Sequence, residues 1–237
     1  MHATLVIPAR FRGPPASANG GYTAGSLAAW LDGPAEVTLR RPPPIDRPLD
    51  VEVDTDQVTL LDGGELIAEA RRAVVDVEPP RAVTVDEAAA ATEHSRFRRA
   101  PGEHPFPGCF VCGPDRAPGD GLRMFPGRVP ARDVFAVPWT PASEFDDGYG
   151  NVRGQIVWSA LDCPSSFAMY LEEDPLEGPF VLGRLAARID APVSTGMPHV
   201  VLGWRVGLDG RKLFAGSALY DASGTPLAVA RATWIHV

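Results

Sequence analysis

The sequence predicts an α+β protein made of two similar halves, each holding a strand, a glycine-led helix and a run of antiparallel strands. Three observations predict it. Apolar segments of strand length recur in both halves, separated by turns rich in Gly, Pro and Asp. Two helix-length apolar stretches each follow a glycine, one after Asn19-Gly20-Gly21 and one after Arg153-Gly154. The chain also repeats itself. Gly64-Glu-Leu-Ile-Ala-Glu-Ala-Arg71 lines up with Gly224-Thr-Pro-Leu-Ala-Val-Ala-Arg231, Asn19-Gly20-Gly21 with Arg153-Gly154-Gln155, and Leu27 with Leu161. A period this long, present twice, indicates a duplicated domain.

In chain order, Ala3 to Phe11 reads as a strand ending at Gly13-Pro14-Pro15. The Ala-rich stretch Tyr22 to Leu31 reads as a helix stopped by Asp32-Gly33-Pro34. Val37 to Arg40, Leu49 to Val53, Gln57 to Leu61 and Leu66 to Val77 read as strands, with turns at Pro42-Pro43-Pro44 and Asp62-Gly63-Gly64. These form an N-terminal domain over residues 1–80. A linker over 81–107 carries a helical piece, Val85 to Ala91, and the basic patch Arg96-Phe-Arg-Arg99. The C-terminal domain, 108–237, begins with Cys109-Phe-Val-Cys-Gly-Pro114 and Gly121-Leu-Arg-Met-Phe125. A strand at Arg132 to Trp139 precedes the second helix, Gln155 to about Leu171. Strands at Val181 to Asp190, His199 to Val206, Leu213 to Tyr220 and Pro226 to Val237 complete it.

Bulk properties narrow the function. Of 237 residues, 45% are hydrophobic, enough for a sizeable core. The net charge of -8 argues against a nucleic-acid partner, because phosphate binding needs a basic footprint. Three cysteines are too few, and odd in number, for a disulfide framework. The segment Met1 to Phe11 lacks the basic start and apolar core of a signal peptide, and no apolar run is long enough to span a membrane. The expectation is a cytoplasmic protein that does not engage a membrane.

The second helix carries the chemistry. At 100° per residue, Gln155, Ser159, Asp162 and Ser166 fall on one stripe of an otherwise apolar segment, so the stripe is expected to face a pocket or a partner surface. Pro164 lacks the N–H of a continuous helix, which opens a second reading: Asp162 ends one helix and caps the next. In the first half, Gly21, Gly25 and Ala28 occupy the corresponding positions. They either leave room for a ligand or pack closely against the sheet. Cys109 and Cys112 have half the spacing of a zinc knuckle, but no second pair follows. Cys163 or His104 would complete a site only by folding back. The expectation is a tight turn with two buried thiols and no metal.

Three motifs resemble the hotdog acyl-CoA thioesterase superfamily: Cys109-x-x-Cys-Gly followed by Gly121-Leu, the glycine-then-acid helix from Gly154 to Asp162, and the Gly-x-x-aliphatic-Ala-x-Ala-Arg ending. The resemblance covers nearly the whole chain. It implies a double hotdog, with two curved antiparallel sheets each wrapping a central helix. The family's helix usually opens His-Gly-Gly, with an acid seven residues after the second glycine and often a hydroxyl four residues further on. Here Asp162 matches the acid and Ser166 the hydroxyl, while Arg153-Gly154-Gln155 departs from the opening. The first half keeps Asn19-Gly20-Gly21 but has Ala28 at the acid position. The resemblance therefore implies one composite site, with the turn from one half and the acid from the other; the mirror-related site would be dead.

Thioester hydrolysis needs a polarised carbonyl and an activated water or nucleophile. By this resemblance Gly20 and Gly21 supply oxyanion-holding N–H groups at a helix N-terminus, and Asp162 is base or nucleophile. Ser166 and Asn19 support them, and Arg153, Gly154, Gln155 and Ser159 contact substrate. The competing readings are an ordinary helix start at Asn19-Gly20-Gly21 and a plain helix serine at Ser166. No cofactor is implied, coenzyme A entering only as part of the substrate. The expected partner is a small acyl thioester, and the expected assembly a monomer or homodimer. Arg96, Arg98 and Arg99 either meet coenzyme A phosphates or form a solvated face. Two other functions compete. One is a hydratase or dehydratase, which would pair a His with the acid, although all five histidines lie off the two helices. The other is a non-catalytic acyl-thioester-binding or scaffold protein.

Overall fold

The computed structural model describes residues 2–171 and 178–237. Among the described residues, eleven strands form one antiparallel sheet in the order β1-β3-β4-β5-β2-β8-β11-β10-β9-β7-β6. The first half contributes β1 (His2–Val6), β2 (Ala35–Leu39), β3 (Pro48–Val53), β4 (Gln57–Asp62) and β5 (Glu65–Arg72). The second contributes β6 (Gly127–Arg128), β7 (Val134–Trp139), β8 (Phe180–Ile189), β9 (His199–Asp209), β10 (Lys212–Asp221) and β11 (Pro226–His236).

Two separate sheets were expected, and the sheet is instead continuous. β2 pairs with β5 on one side and with β8 on the other, Val37 lying opposite both Ala70 and Leu185. Each half would otherwise leave an edge of unpaired N–H and C=O groups, and joining the two edges satisfies both. The order is nearly palindromic about this seam. The repeated sequences fall on β5 and β11, each beside the seam strand of its own half. Glu36 on β2 reaches across it to Arg184 and Arg231.

Local chemistry moves several boundaries. The first strand stops at Val6, because Pro8 cannot donate to a ladder. The chain turns there into a 3-10 helix, Ala9–Phe11, with Phe11 N donating to the Pro8 carbonyl at 2.9 Å. β5 ends at Arg72, short of the expected Val77. Helix α1 spans Gly20–Ala28 and starts at the glycines themselves, because the Asn19 side chain caps it by accepting from Tyr22 N.

The stretch read as a linker is built into the fold. Its helix α2 (Val85–Glu93) starts with a Thr84–Glu87 capping box. Ala88 and Ala91 pack with Val134, Ala136, Val200 and Leu202 in a second core. Their strand neighbours Phe135, Val137 and Val201 point into the main core, so α2 covers the opposite face of the sheet. The fit is close: a Cβ on Gly127 would lie 1.7 Å from the Ala91 carbonyl oxygen. The following short helix α3 (Arg96–Arg99) buries Phe97 and pairs Arg96 with Glu103 and Arg98 with Glu93.

Helix α4 (Gly154–Ser166) runs through Pro164 without a break, which removes the reading of Asp162 as the cap of a following helix. Its neighbours hold the disturbed turn. Ser217 on β10 donates to the Leu161 carbonyl at 2.5 Å, and Ser165 Oγ donates to the Asp162 carbonyl while accepting from Trp234 Nε1. A 3-10 segment, Phe167–Leu171, follows. α1 and α4 lie against each other, α4 on the strands of its own half and α1 on β2, β4, β5 and, across the seam, β8. The two helices touch at Gly21 and Gly25. A Cβ on Gly21 would lie 2.5 Å from Asp162 Cβ, and one on Gly25 2.6 Å from Gln155 Cα. These small residues therefore pack against the other helix, not against the sheet or a ligand.

Candidate active site

The helix contact decides where the polar stripe goes. Gln155, Ser159 and Asp162 face α1. Ser159 is fully buried and donates to the Gln155 carbonyl at 2.7 Å. Gln155 lies beside the Tyr22 side chain. Arg153 turns back to the carbonyls of Phe145 and Glu144. Gly154 begins the helix, and a Cβ there would meet nothing within 4 Å. None of these four lines the cavity described next.

That cavity, of about 810 Å³, lies beside the junction of the two helices. Its volume is within the range of small-molecule sites. The walls are mainly apolar and include Phe97, Phe106, Phe167, Tyr170, Leu182 and Trp234. Among its polar lining groups are Asn19, His104, Asp162, Ser166 and the three cysteines, and Gly20 lines it as well.

Asp162 is its most constrained group. One carboxyl oxygen, Oδ2, accepts from Asn19 Nδ2 at 2.8 Å and from Gly21 N at 2.9 Å. Asn19 is oriented unambiguously: its Oδ1 accepts from Tyr22 N, so its amide nitrogen must point at Asp162. The other oxygen, Oδ1, is buried and has no protein partner among the described residues. Burial pushes the Asp162 carboxyl up to about 7 despite the two donors. A carboxyl half-ionised near neutrality can either take or give a proton. Because the Gly21 N–H is spent on Asp162, it is not available to a carbonyl oxygen. Gly20, at the first position of the helix, has an N–H without an intrahelical acceptor by construction. Ser166 Oγ donates to the Cys163 carbonyl at 2.7 Å, leaving its lone pairs to accept.

The sequence named two residues here without placing them. His104 sits in the linker, where spacing gives no hint of its neighbours, yet it lines the cavity. Its Nδ1 accepts from Phe106 N at 3.0 Å, its Nε2 is buried with no partner among the described residues, and burial lowers its pKa. Cys163 does fold back onto the Cys109-x-x-Cys112 turn: the three sulfurs lie within 4.8 Å of one another. The signal in the sequence was the Cys109-x-x-Cys112 spacing with a third cysteine left over.

No protein-family model matches the chain, and no curated protein matches it. Solved structures do. The tesB protein MAP1729c of Mycobacterium avium subsp. paratuberculosis superposes with a TM-score of 0.64 at 10% identity, covering 100% of this chain and 93% of that one. A protein assigned as a thioesterase II from Thermobifida fusca gives 0.60 at 16% identity, covering 100% and 93%. A conserved hot dog-fold protein from Alicyclobacillus acidocaldarius gives 0.54 at 12% identity, covering 100% and 92%. At these identities the likeness concerns the fold, which is the hotdog fold. Among the described residues, no helix is long and apolar enough to cross a membrane.

Proposed function

We propose that this chain hydrolyses an acyl thioester, such as an acyl-CoA, at one composite site between two hotdog units. The units are residues 1–80 and 108–237, each with its own helix, α1 and α4, and 81–107 connects them. The observation that carries the reading is the hydrogen-bonded pair of Asp162 from one half and Asn19 from the other, set in the wall of the largely apolar cavity. Thioesterase assignments among proteins of the same fold agree with it.

In this reading the acyl chain lies among Phe97, Phe167, Leu182 and Trp234. The thioester carbonyl points at the N-terminus of α1, where the Gly20 N–H and the helix dipole stabilise the developing oxyanion. Asp162 takes a proton from water, the resulting hydroxide adds to the carbonyl carbon, and the C–S bond breaks. The proton passes to the departing sulfur, releasing a free acid and a thiol. Asn19 and the Gly21 N–H hold the carboxyl so that its second oxygen faces the water, and Ser166 accepts a hydrogen bond from that water. The mirror-related position has Ala28 in place of the acid and carries no reaction.

The test is release of free thiol from short, long and aromatic acyl-CoAs by wild type and by Asp162→Asn. Turnover in wild type that the substitution abolishes supports the reading, and equal rates overturn it. Binding without turnover in both would move the function to an acyl-thioester-binding protein. A hydratase reading gains from one observation, that His104 and Asp162 line the same cavity. Water addition to an enoyl thioester, assayed in parallel, separates the two.

A further inference from the structure

We propose that Cys109, Cys112 and Cys163 together bind one zinc-class divalent cation. The site is built from two distant parts of the chain, Cys109 and Cys163 being 54 positions apart, and it stands or falls apart from the thioesterase reading.

All three thiols are free and buried. The Cys109 and Cys163 sulfurs are 3.7 Å apart, far beyond a disulfide bond. Two thiolates bound tetrahedrally to zinc at about 2.3 Å would stand about 3.8 Å apart. The third sulfur lies within 4.8 Å of both, close enough for side-chain rotation to bring it in.

The Cys109 turn is shaped for a thiolate. The thiols of Cys112 and Cys163 and the backbone N–H groups of Cys112 and Val111 all lie close to the Cys109 sulfur. Three thiolates held this close together would repel one another. A divalent cation removes that conflict, and the protons leave to solvent on binding. Gly113 makes the turn possible, since a Cβ there would lie 2.5 Å from the Cys109 backbone nitrogen and oxygen. All three cysteines line the cavity, so an ion has a route in. Asp162 stands beside the site, its Oδ2 4.0 Å from Cys163 Sγ and its Oδ1 without a protein partner among the described residues. Three soft sulfur ligands favour zinc over magnesium or calcium.

The full chain, reduced and stripped with a chelator under anaerobic conditions, would be incubated with zinc, desalted and assayed for metal, with its free thiols counted first. About one zinc retained per chain is expected. Cobalt(II) should give a thiolate-to-metal charge-transfer band and tetrahedral visible absorption. Cys109→Ser and Cys163→Ser should each weaken zinc binding roughly ten-fold or more. If either variant fails to fold, wild type alone decides: zinc should slow the reaction of its thiols with a maleimide. No retained zinc and unchanged thiol reactivity, with all three thiols counted as reduced, would overturn the proposal.

Discussion

Asn19 Nδ2 donates to Asp162 Oδ2 at 2.8 Å, although 143 residues separate the two. The bond joins the N-terminus of one helix to the middle of the other and is buried at both ends. One Asn side chain thus performs two tasks, capping α1 through its oxygen and orienting the acid through its nitrogen.

Asn19→Ala removes both. Losing a cap costs about 1 kcal/mol, and leaving a buried carboxyl short of a donor costs about 1 to 3 kcal/mol more. Urea denaturation should show a loss of about 2 to 4 kcal/mol. Thiol release should fall while the chain is still folded, because Asp162 loses its orientation. A variant as stable and as active as wild type would refute the double role.

Two glycines in the first turns of the two helices should respond differently. Gly21→Ala inserts a methyl 2.5 Å from Asp162 Cβ, 2.7 Å from the Trp158 carbonyl oxygen and 2.9 Å from Ser159 Cα. Two of those three atoms belong to backbone, so the helices must separate, at about 3 kcal/mol. Gly154→Ala, at the first position of α4, meets nothing within 4 Å and should change stability by less than about 0.5 kcal/mol. Thermal unfolding of the two variants side by side makes the comparison.

That contrast also marks how far the sequence could be read. Strands and the repeat were legible because turn residues and apolar alternation act locally, and the repeated Ala-x-Ala-Arg strands do occupy equivalent places, β5 and β11. Asp162 stood out as a lone acid on an apolar helix, and it is indeed buried beside the cavity. What depended on distant chain was not legible. The β2–β8 seam pairs two halves that each look complete. The partner of the polar stripe is a second helix, and nothing in the spacing of its glycines names what they pack against. Pro164 announced a break that Ser217, from another strand, helps the helix avoid. His104 and Cys163 gained their neighbours only through folding.

Stability should depend on His199 in mildly acidic solution. This residue is buried, its Nδ1 is 2.8 Å from the Met197 carbonyl, and burial lowers its pKa despite the nearby Asp221 and the Trp139 backbone. The unfolded chain takes up a proton near pH 6.5 and the folded chain does so at lower pH. Stability should therefore be fully present above about pH 6.5 and decline as pH falls below it, by at most about 1.4 kcal/mol per pH unit from this group. Denaturant titrations from pH 7 to 5 on wild type and His199→Gln check it. The variant should have the shallower slope, and equal slopes would show that His199 contributes nothing to it.

Asp162→Asn should separate stability from activity. The amide oxygen of an Asn at this position can accept from Asn19 Nδ2 and Gly21 N as Oδ2 does now, so both hydrogen bonds that tie α4 to α1 persist. The substitution also replaces a buried acid, one of whose oxygens has no protein partner among the described residues, with a neutral group of nearly the same shape. The thermal midpoint should therefore be unchanged or raised, whereas a mere structural acid would leave activity unchanged as well. Under the proposed chemistry an amide cannot take the proton from water, and thiol release should fall about 100-fold or more. A midpoint lowered by many degrees would mean that the carboxyl holds the helices together in a way an amide cannot reproduce. The activity loss would then be no test of its role as base. An unchanged midpoint with lost turnover assigns Asp162 to the reaction, at a site where the fold tolerates a buried acid for the sake of function.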